Sequence, residues 1–410
     1  MAFGIRKNLS RTLRWKGLFH QHDSNSSIEQ RKSDHISINL ERDVQSPQRS
    51  TGFERFRFVP SALPEINLGD VDTGLTFLGK HLRLPLLISS MTGGVARGGE
   101  INRRLAQAAQ DQGCAMGVGS QRAAIENPAL AGTFRVRDVA PDILLFANLG
   151  AVQLNYGYGV EECRRAVDMI GADALILHLN PVQEALQPDG NHDFSGLLNR
   201  IARVCDLLEI PVIVKEIGFG ISAPDVRRLV EAGVAAVDIA GTGGTSWSAV
   251  ESYRATDDSA RRIGETFSDW GLPTAWALQM ARAQVPHARL IASGGLRTGL
   301  DAAKAIALGA DLAGFAGPLL RAADAGENRA NTLLETIARE LRLAMFGCGT
   351  VSLSGLRAAH LIADEGGGRF SHFVRTIGSD QPGKRPSSLV RVHGNVEPST
   401  SIKEYQRNAL

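Results

Sequence analysis

The densest chemistry in this chain lies at His178-Leu179-Asn180-Pro181-Val182-Gln183-Glu184, where an imidazole, two amides and a carboxylate follow an apolar run. Any one of these could satisfy turn backbone; as a set they read as a site. Glu184 offers the hard anionic oxygen that Mg²⁺ takes when one carboxylate is completed by substrate phosphates and water. Arg31-Lys32-Ser33-Asp34-His35 adds two adjacent cations and an imidazole near the amino end, and Ser120-Gln121-Arg122 adds a third cation. An Arg at a strand end can grip phosphate oxygens with two parallel hydrogen bonds, so together these cations suggest a diphosphate. Lys215 closes the apolar run Val212-Ile213-Val214 and is followed by Glu216. A cation placed there needs a reason, either a ligand or a structural pairing with Glu216 or Asp238.

Residues so far apart in sequence must be brought together by a repeated frame. From Leu84 onward, short apolar runs alternate with helix-length amphipathic segments, the signature of βα units and a parallel sheet. Strands are predicted at 86–90, 114–118, 144–148, 174–179, 212–216, 236–240, 289–293 and 312–316, eight in all. Helices are predicted at 99–112, 160–170, 195–208, 223–232 and 300–308. Eight parallel strands close a (β/α)8 TIM barrel, and in that fold the chemistry sits at the carboxyl ends of the strands. A doubly wound open sheet would need a Gly-rich fingerprint after its first strand and an acid beyond the second, and no convincing one is present.

Those strand ends are rich in glycine. Met91-Thr92-Gly93-Gly94 follows the first strand, Thr242-Gly243-Gly244-Thr245 the sixth, Ser293-Gly294-Gly295 the seventh and Ala316-Gly317 the eighth. Barrel turns favour glycine for purely structural reasons, yet several converging turns suit a cofactor phosphate held by backbone N–H groups. In flavin barrels a Lys such as Lys215 can stabilise the anionic reduced ring.

Composition bounds the rest. The 410 residues would be used up by one barrel with appended arms, giving a basic extension over 1–27, a barrel with its amino-terminal arm over 28–357, and a surface or disordered tail over 358–410. The formal net charge of +2 argues against nucleic acid as a partner. No apolar run reaches the ~18 residues of a membrane span, so no membrane is expected. Four well-separated cysteines without a CxxC pair fit a reducing, cytoplasmic setting. The basic start is either a targeting segment or an arm that frays or meets another subunit.

Taken in order, Arg-Lys-x-Asp-His, Met-Thr-Gly-Gly, Gly-Ser-Gln-Arg, His-Leu-Asn-Pro-x-Gln-Glu, Gly-Thr-Gly-Gly-Thr-Ser-Trp and Ser-Gly-Gly-Leu-Arg resemble the type 2 isopentenyl-diphosphate isomerases over roughly residues 28 to 346. The resemblance implies an FMN-dependent isomerase that interconverts isopentenyl and dimethylallyl diphosphate, with NADPH as reductant, Mg²⁺, and a homo-oligomer (tetramer or octamer). It further implies that FMN meets Met91, Thr92, Gly93, Ser120, Asn148, Lys215, Thr245, Gly294, Gly295, Ala316 and Gly317. The substrate would meet Arg31, Lys32, Ser120, Gln121, Arg122 and Gln183, with Glu184 on the metal and Gln183 and His178 near the reacting carbons. The alternatives are an FMN-dependent 2-hydroxy-acid oxidase or dehydrogenase, or a flavin- or phosphate-binding protein without isomerase activity. Hydroxy-acid oxidation needs a His base after the sixth strand, where this chain has Gly-Gly-Thr-Ser-Trp.

Overall fold

Eight parallel strands close a barrel in the computed structural model, which describes residues 24–364 and 370–373. They are β1 (Leu86–Ile88), β2 (Ala115–Gly117), β3 (Leu145–Gly150), β4 (Ala174–His178), β5 (Val212–Lys215), β6 (Ala236–Asp238), β7 (Leu290–Ala292) and β8 (Leu312–Phe315). Each pairs with its neighbours in chain order, and β8 returns to β1 through Ala313↔Leu86, Gly314↔Leu87 and Phe315↔Ile88. All eight strands expected from sequence are present. They are shorter than predicted, except β3, because the glycine and polar residues at their ends turn the chain out of the ladder.

Burial explains why these runs are apolar throughout: one face looks into the barrel and the other against helices. Leu87, Phe146, Ile176, Ile213, Ile291 and Leu312 form an inner cluster. Their neighbours Leu86, Ile88, Leu145, Leu175, Leu177 and Val214 join the outer cluster that packs on the helices. The inner cluster is closed by Phe77 and Leu82 from the antiparallel hairpin Leu75–Phe77 and Lys80–Leu82. This hairpin plugs the barrel at the amino-terminal ends of the strands: Lys80 Nζ donates to the carbonyl of Ile143, just before β3, and pairs with Asp173, just before β4, at 2.8 Å.

The predicted helix 160–170 coincides with Val160–Ile170, and the others appear as Ala96–Gln112, Leu197–Leu207, Ala223–Glu231 and Gly299–Ala307. Three elements unforeseen as helices matter for the site: α1 (Ser24–Glu41), α2 (Pro181–Leu186) and α3 (Trp247–Arg254). The helix α1 begins inside the segment expected to be an extension; residues 1–23 lie outside the described residues.

The boundary drawn at 358 needs correction. Leu361–Asp364 is a strand that pairs antiparallel with Phe56–Phe58 and with Phe370–Phe373. Leu361 and Ala363 alternate onto a buried face there, so this part of the expected tail is packed structure. The remainder of 358–410, apart from those strands and the turn leading to them, lies outside the described residues. Among the described residues, no helix is long and apolar enough to cross a membrane.

Phe77 is 2% exposed and fills the barrel floor from a hairpin that contributes nothing to the mouth. Phe77→Ala is therefore expected to lower stability by about 3–5 kcal/mol in denaturant unfolding, while the protein that remains folded binds ligands at the mouth normally.

Candidate active site

The carboxyl ends of the strands and α1 enclose a cavity of about 490 Å³. Of the residues expected to meet cofactor, substrate or metal, all line it except Gly93 and Gln121. Gln121 is fully buried in the wall, where its amide donates to the Ala166 carbonyl and accepts from the Asn148 backbone N–H. Its side chain shapes the cavity from behind. Gly93 has φ +141°, and a Cβ there would lie 2.1 Å from the Phe134 ring, so its role is to let that turn pack on Phe134.

One side of the cavity is cationic. Helix α1 buries Ile36, with Leu40 beside it, and is otherwise tied down by polar contacts: Arg31 donates to Gln187 Oε1 at 3.0 Å, Lys32 Nζ to the Ser120 carbonyl at 3.1 Å, and Asn39 Oδ1 accepts from Thr245. Burial, and then the neighbouring Arg31 and Arg122, lower the pKa of Lys32 to about 8. Burial also lowers Arg31, with Arg122 adding to the effect. Arg122 itself is paired with Glu126 at 2.8 Å. Two half-buried cations drawn below their ordinary values beside a third describe a site short of negative charge, a setting that suits an anion with several oxygens.

The centre is uncharged amide chemistry. Proline at the first turn starts α2, and Asn180 before it donates to both Gln183 Oε1 and Glu184 Oε1 at 3.0 Å. Gln183 Nε2 donates to Glu251 Oε1 at 2.9 Å, and His35 Nε2 meets the same oxygen at 3.1 Å. Glu251 lies on α3 and is paired with Arg254 at 2.7 Å. Burial would raise the Glu251 carboxyl, but His35, Gln183 and Arg254 outweigh it and hold the carboxyl below its ordinary value. Burial keeps His35 neutral, pulling its pKa down against the hydrogen bond to Glu251. His178 is pulled down to about 3 by burial, then by the charges of Lys215 and Lys32. Asn148 Nδ2 donates to the Val118 carbonyl, so its Oδ1 is the acceptor that faces His178 Nδ1 at 2.8 Å. Network assignment therefore puts the imidazole proton on Nδ1 and leaves Nε2 as an acceptor.

Sequence reading assigned no role to Glu251. Its one signal was being the only acid in α3, one turn after Trp247; placing it against Gln183 required the fold. The imidazole of His35 was visible as part of the amino-terminal cluster, but its edge-on packing against Trp247, at 5.0 Å between centroids, was not.

The far side is backbone. Gly294 (φ +102°) and Gly295 (φ +82°) turn the chain after β7 against the turn after β6, so that a Cβ on either would lie under 2.5 Å from Gly241 or Gly243 backbone. Only glycine permits that stacking, which leaves amide edges facing the cavity. Beside these turns, Ser90 Oγ and Thr92 Oγ1 are buried with no hydrogen-bond partner in the protein. Orphaned hydroxyls in a polar cradle fit a bound cofactor, here the phosphate and ring of FMN. For a metal the fit is partial: no group of three or more His, Cys, Asp or Glu converges among the described residues. Glu184 Oε2 accepts from the Asn191 backbone N–H at 2.6 Å, while buried Asn180 Oδ1 stands unpartnered next to it. Those oxygens suit a cation whose other ligands come from substrate and water.

The chain is similar to proteins already known. A family described as FMN-dependent dehydrogenase matches residues 24–132 and 182–363. Curated relatives named isopentenyl-diphosphate delta-isomerase are 55% identical in Synechocystis sp., over 84% of this chain and 99% of the relative, and 54% identical in Nostoc sp., over 81% and 95%. One from Stutzerimonas stutzeri is 52% identical over 83% and 98%. Among solved structures, a lactate oxidase from Pediococcus acidilactici covers 83% of this chain and 94% of its own, with TM-score 0.58 and 17% identity. A mandelate oxidase covers 83% and 99%, with TM-score 0.56 and 20% identity. These two share the fold.

A cation whose pKa is lowered to about 8 loses its proton as pH rises through that value, so anion binding that needs charged Lys32 weakens above it. In calorimetric titration with inorganic pyrophosphate, affinity is expected to fall above pH 8. Lys32→Ala should bind roughly tenfold or more weakly below pH 8, and the two profiles should converge above it. Parallel profiles would show that Lys32 is not the titrating group.

Proposed function

Because this chain belongs to the FMN-dependent type 2 isopentenyl-diphosphate delta-isomerases, we propose that its cavity interconverts isopentenyl and dimethylallyl diphosphate. The observation that carries this reading is one cavity joining a desolvated cation cluster, for a diphosphate, to a centre where His35 and His178 are held neutral and Gln183 is fixed by two hydrogen bonds.

Moving the double bond adds a proton at one allylic end and removes one at the other, with a tertiary cation-like centre between and no net redox change. Reduced FMN, when bound, supplies an electron-rich face and a proton-carrying nitrogen for this chemistry, and NADPH is the reductant. Arg31, Lys32 and Arg122 take the diphosphate and thereby fix where the hydrocarbon tail lies. Gln183 orients that tail: its Oε1 is occupied by Asn180 and its Nε2 by Glu251, so the amide cannot turn over. His178, neutral and with Nε2 free to accept, positions without adding a competing positive charge to a cationic transition state. Glu184, with Asn180 Oδ1 nearby, would hold Mg²⁺, which would supply positive charge to the diphosphate. Met91, Thr92, Ser120, Asn148, Thr245 and the Gly294-Gly295 and Ala316-Gly317 turns would hold FMN, and Lys215 would offer a positive charge to its reduced form.

Oxidation of 2-hydroxy acids is not favoured. Among the described residues, the imidazole that reaches the segment after β6 is that of His35, and its Nε2 is engaged by Glu251. The working form is a homo-oligomer, tetramer or octamer; exposed Trp270 and Trp276 supply apolar surface for a second copy to cover. The free cysteines suit a cytoplasmic setting.

The test is an anaerobic assay of the FMN-loaded protein, reduced with NADPH, on isopentenyl diphosphate. Formation of dimethylallyl diphosphate is expected, and its absence from protein that binds FMN would remove the assignment. Glu184→Gln should keep FMN affinity but lose Mg²⁺-dependent turnover by about 100-fold or more; an unchanged Mg²⁺ titration would withdraw the metal role.

A further inference from the structure

Beneath the cavity floor lies a carboxylate that the proposed reaction does not use. Asp238 ends β6 with no exposed surface, and only one of its oxygens is satisfied: Oδ1 accepts from Ser293 Oγ at 2.7 Å and from the Ala240 backbone N–H at 3.3 Å. Oδ2 is buried with no hydrogen-bond partner. A bare, buried carboxylate oxygen is costly unless a cation faces it. The cation is identified by register: Asp238 is the partner of Lys215 across the parallel β5–β6 pair, so both side chains leave the same face of the sheet.

From this geometry we infer that Asp238 is a positioning residue, the counter-charge that keeps Lys215 an ammonium where the reduced flavin binds. Lys215 is 6% exposed at the cavity edge, and its Nζ donates to the Glu216 carbonyl at 2.6 Å. The pair is thus a charge couple without a closing hydrogen bond, which leaves other Lys215 N–H groups for the cavity. Other charges near Lys215 do not replace Asp238. Next along the chain, Glu216 spends Oε2 on the backbone N–H groups of Ile217, Gly218 and Phe219 at 2.5–2.7 Å. Burial pushes both carboxyls up, Glu216 to about 7 and Asp238 likewise, but at Asp238 the largest influence opposing burial is the charge of Lys215, whereas at Glu216 it is those backbone N–H groups. His178, the register partner on β4, is held neutral, and Lys32 from α1 is a like charge. Ser293 from β7 is an uncharged donor. Burial lowers the pKa of Lys215, and Asp238 opposes that more than Glu216 does.

This inference rests on FMN occupying the cavity, so the experiment first measures FMN binding by the unmodified protein; no binding would overturn the cofactor reading as well. The protonation of reduced FMN is then followed by absorbance across pH in the protein, in Asp238→Asn, in Lys215→Met and in the double variant. If Asp238 keeps Lys215 charged, Asp238→Asn lets Lys215 lose its proton, and the pH at which the bound reduced flavin becomes anionic rises by about 1 unit or more. In the Lys215→Met background the same substitution removes only a buried negative charge, so that pH falls. This reversal of sign is what a purely structural Asp cannot produce. A fall or no change on Asp238→Asn in the unmodified background would overturn the inference. Should Asp238→Asn fail to take up FMN, recovery of binding in the charge-neutral double variant supports the coupling, and failure of both variants assigns Asp238 to the scaffold instead.

Discussion

Helix α1 roofs the barrel mouth on a narrow apolar footing, Ile36 with Leu40 one turn on. Beyond that footing its place is set by side chains that each find a partner inside: Arg31 on Gln187, Lys32 on the Ser120 carbonyl, His35 on Glu251, Asn39 on Thr245. The segment after it is tied down as well, by the Ser246 N–H on the Val44 carbonyl and by an antiparallel bridge between Gln45 and Thr245. Arg31 and Lys32, which line the cavity, are thus also part of what holds α1 over it.

That closure sets the electrostatics of everything below. Desolvation is the largest influence on Lys32, His35, His178 and Lys215 alike, and for each it disfavours the charged form. Where neutrality is useful, as in the two imidazoles, the protein adds no carboxylate strong enough to reverse it. Where a cation is wanted, it places a buried anion at a defined register position, as Asp238 opposite Lys215. Two outcomes thus arise from one low-dielectric mouth, selected by the neighbour.

The sequence disclosed the frame because barrel strands buried on two faces read as short apolar runs, and because glycine marks most of the turns out of the ladder. It disclosed most of the site because strand ends in a closed barrel converge whatever the loops do; His178, Gln183, Glu184 and Lys215 were legible for that reason. It could not disclose Glu251, whose helix belongs to a two-helix insertion, Trp247–Arg254 and Asp258–Thr266, ahead of the barrel helix Thr274–Gln284; this insertion's position is set by packing of its helices on each other and on α2. Gln121 was misread in the opposite sense. It adjoins two residues that line the cavity, and nothing in its identity tells that its amide turns into the wall to hold Asn148. The strand Leu361–Asp364 was lost because four residues of alternation are too few to stand out beside a polar tail; its partner Phe56–Phe58 lies some 300 residues away.

The mouth also divides its labour around the barrel. The turns after β6 and β7 offer backbone, stacked so closely at Gly243, Gly294 and Gly295 that only glycine fits, and backbone amides can bind phosphate without regard to which flavin-dependent reaction follows. The ends of β2 and β4, with α1 and α3, offer side chains instead: three cations, two neutral imidazoles and the Asn180–Gln183–Glu251 chain of amides and carboxylate. A barrel can keep the first half and exchange the second, which is why shared fold says little about the reaction. In this chain the second half carries, among the described residues, two imidazoles that burial holds below their ordinary values, beside three cations. The choice of chemistry is made by α1 and the β4 end together, and the strand frame only fixes how far apart they stand.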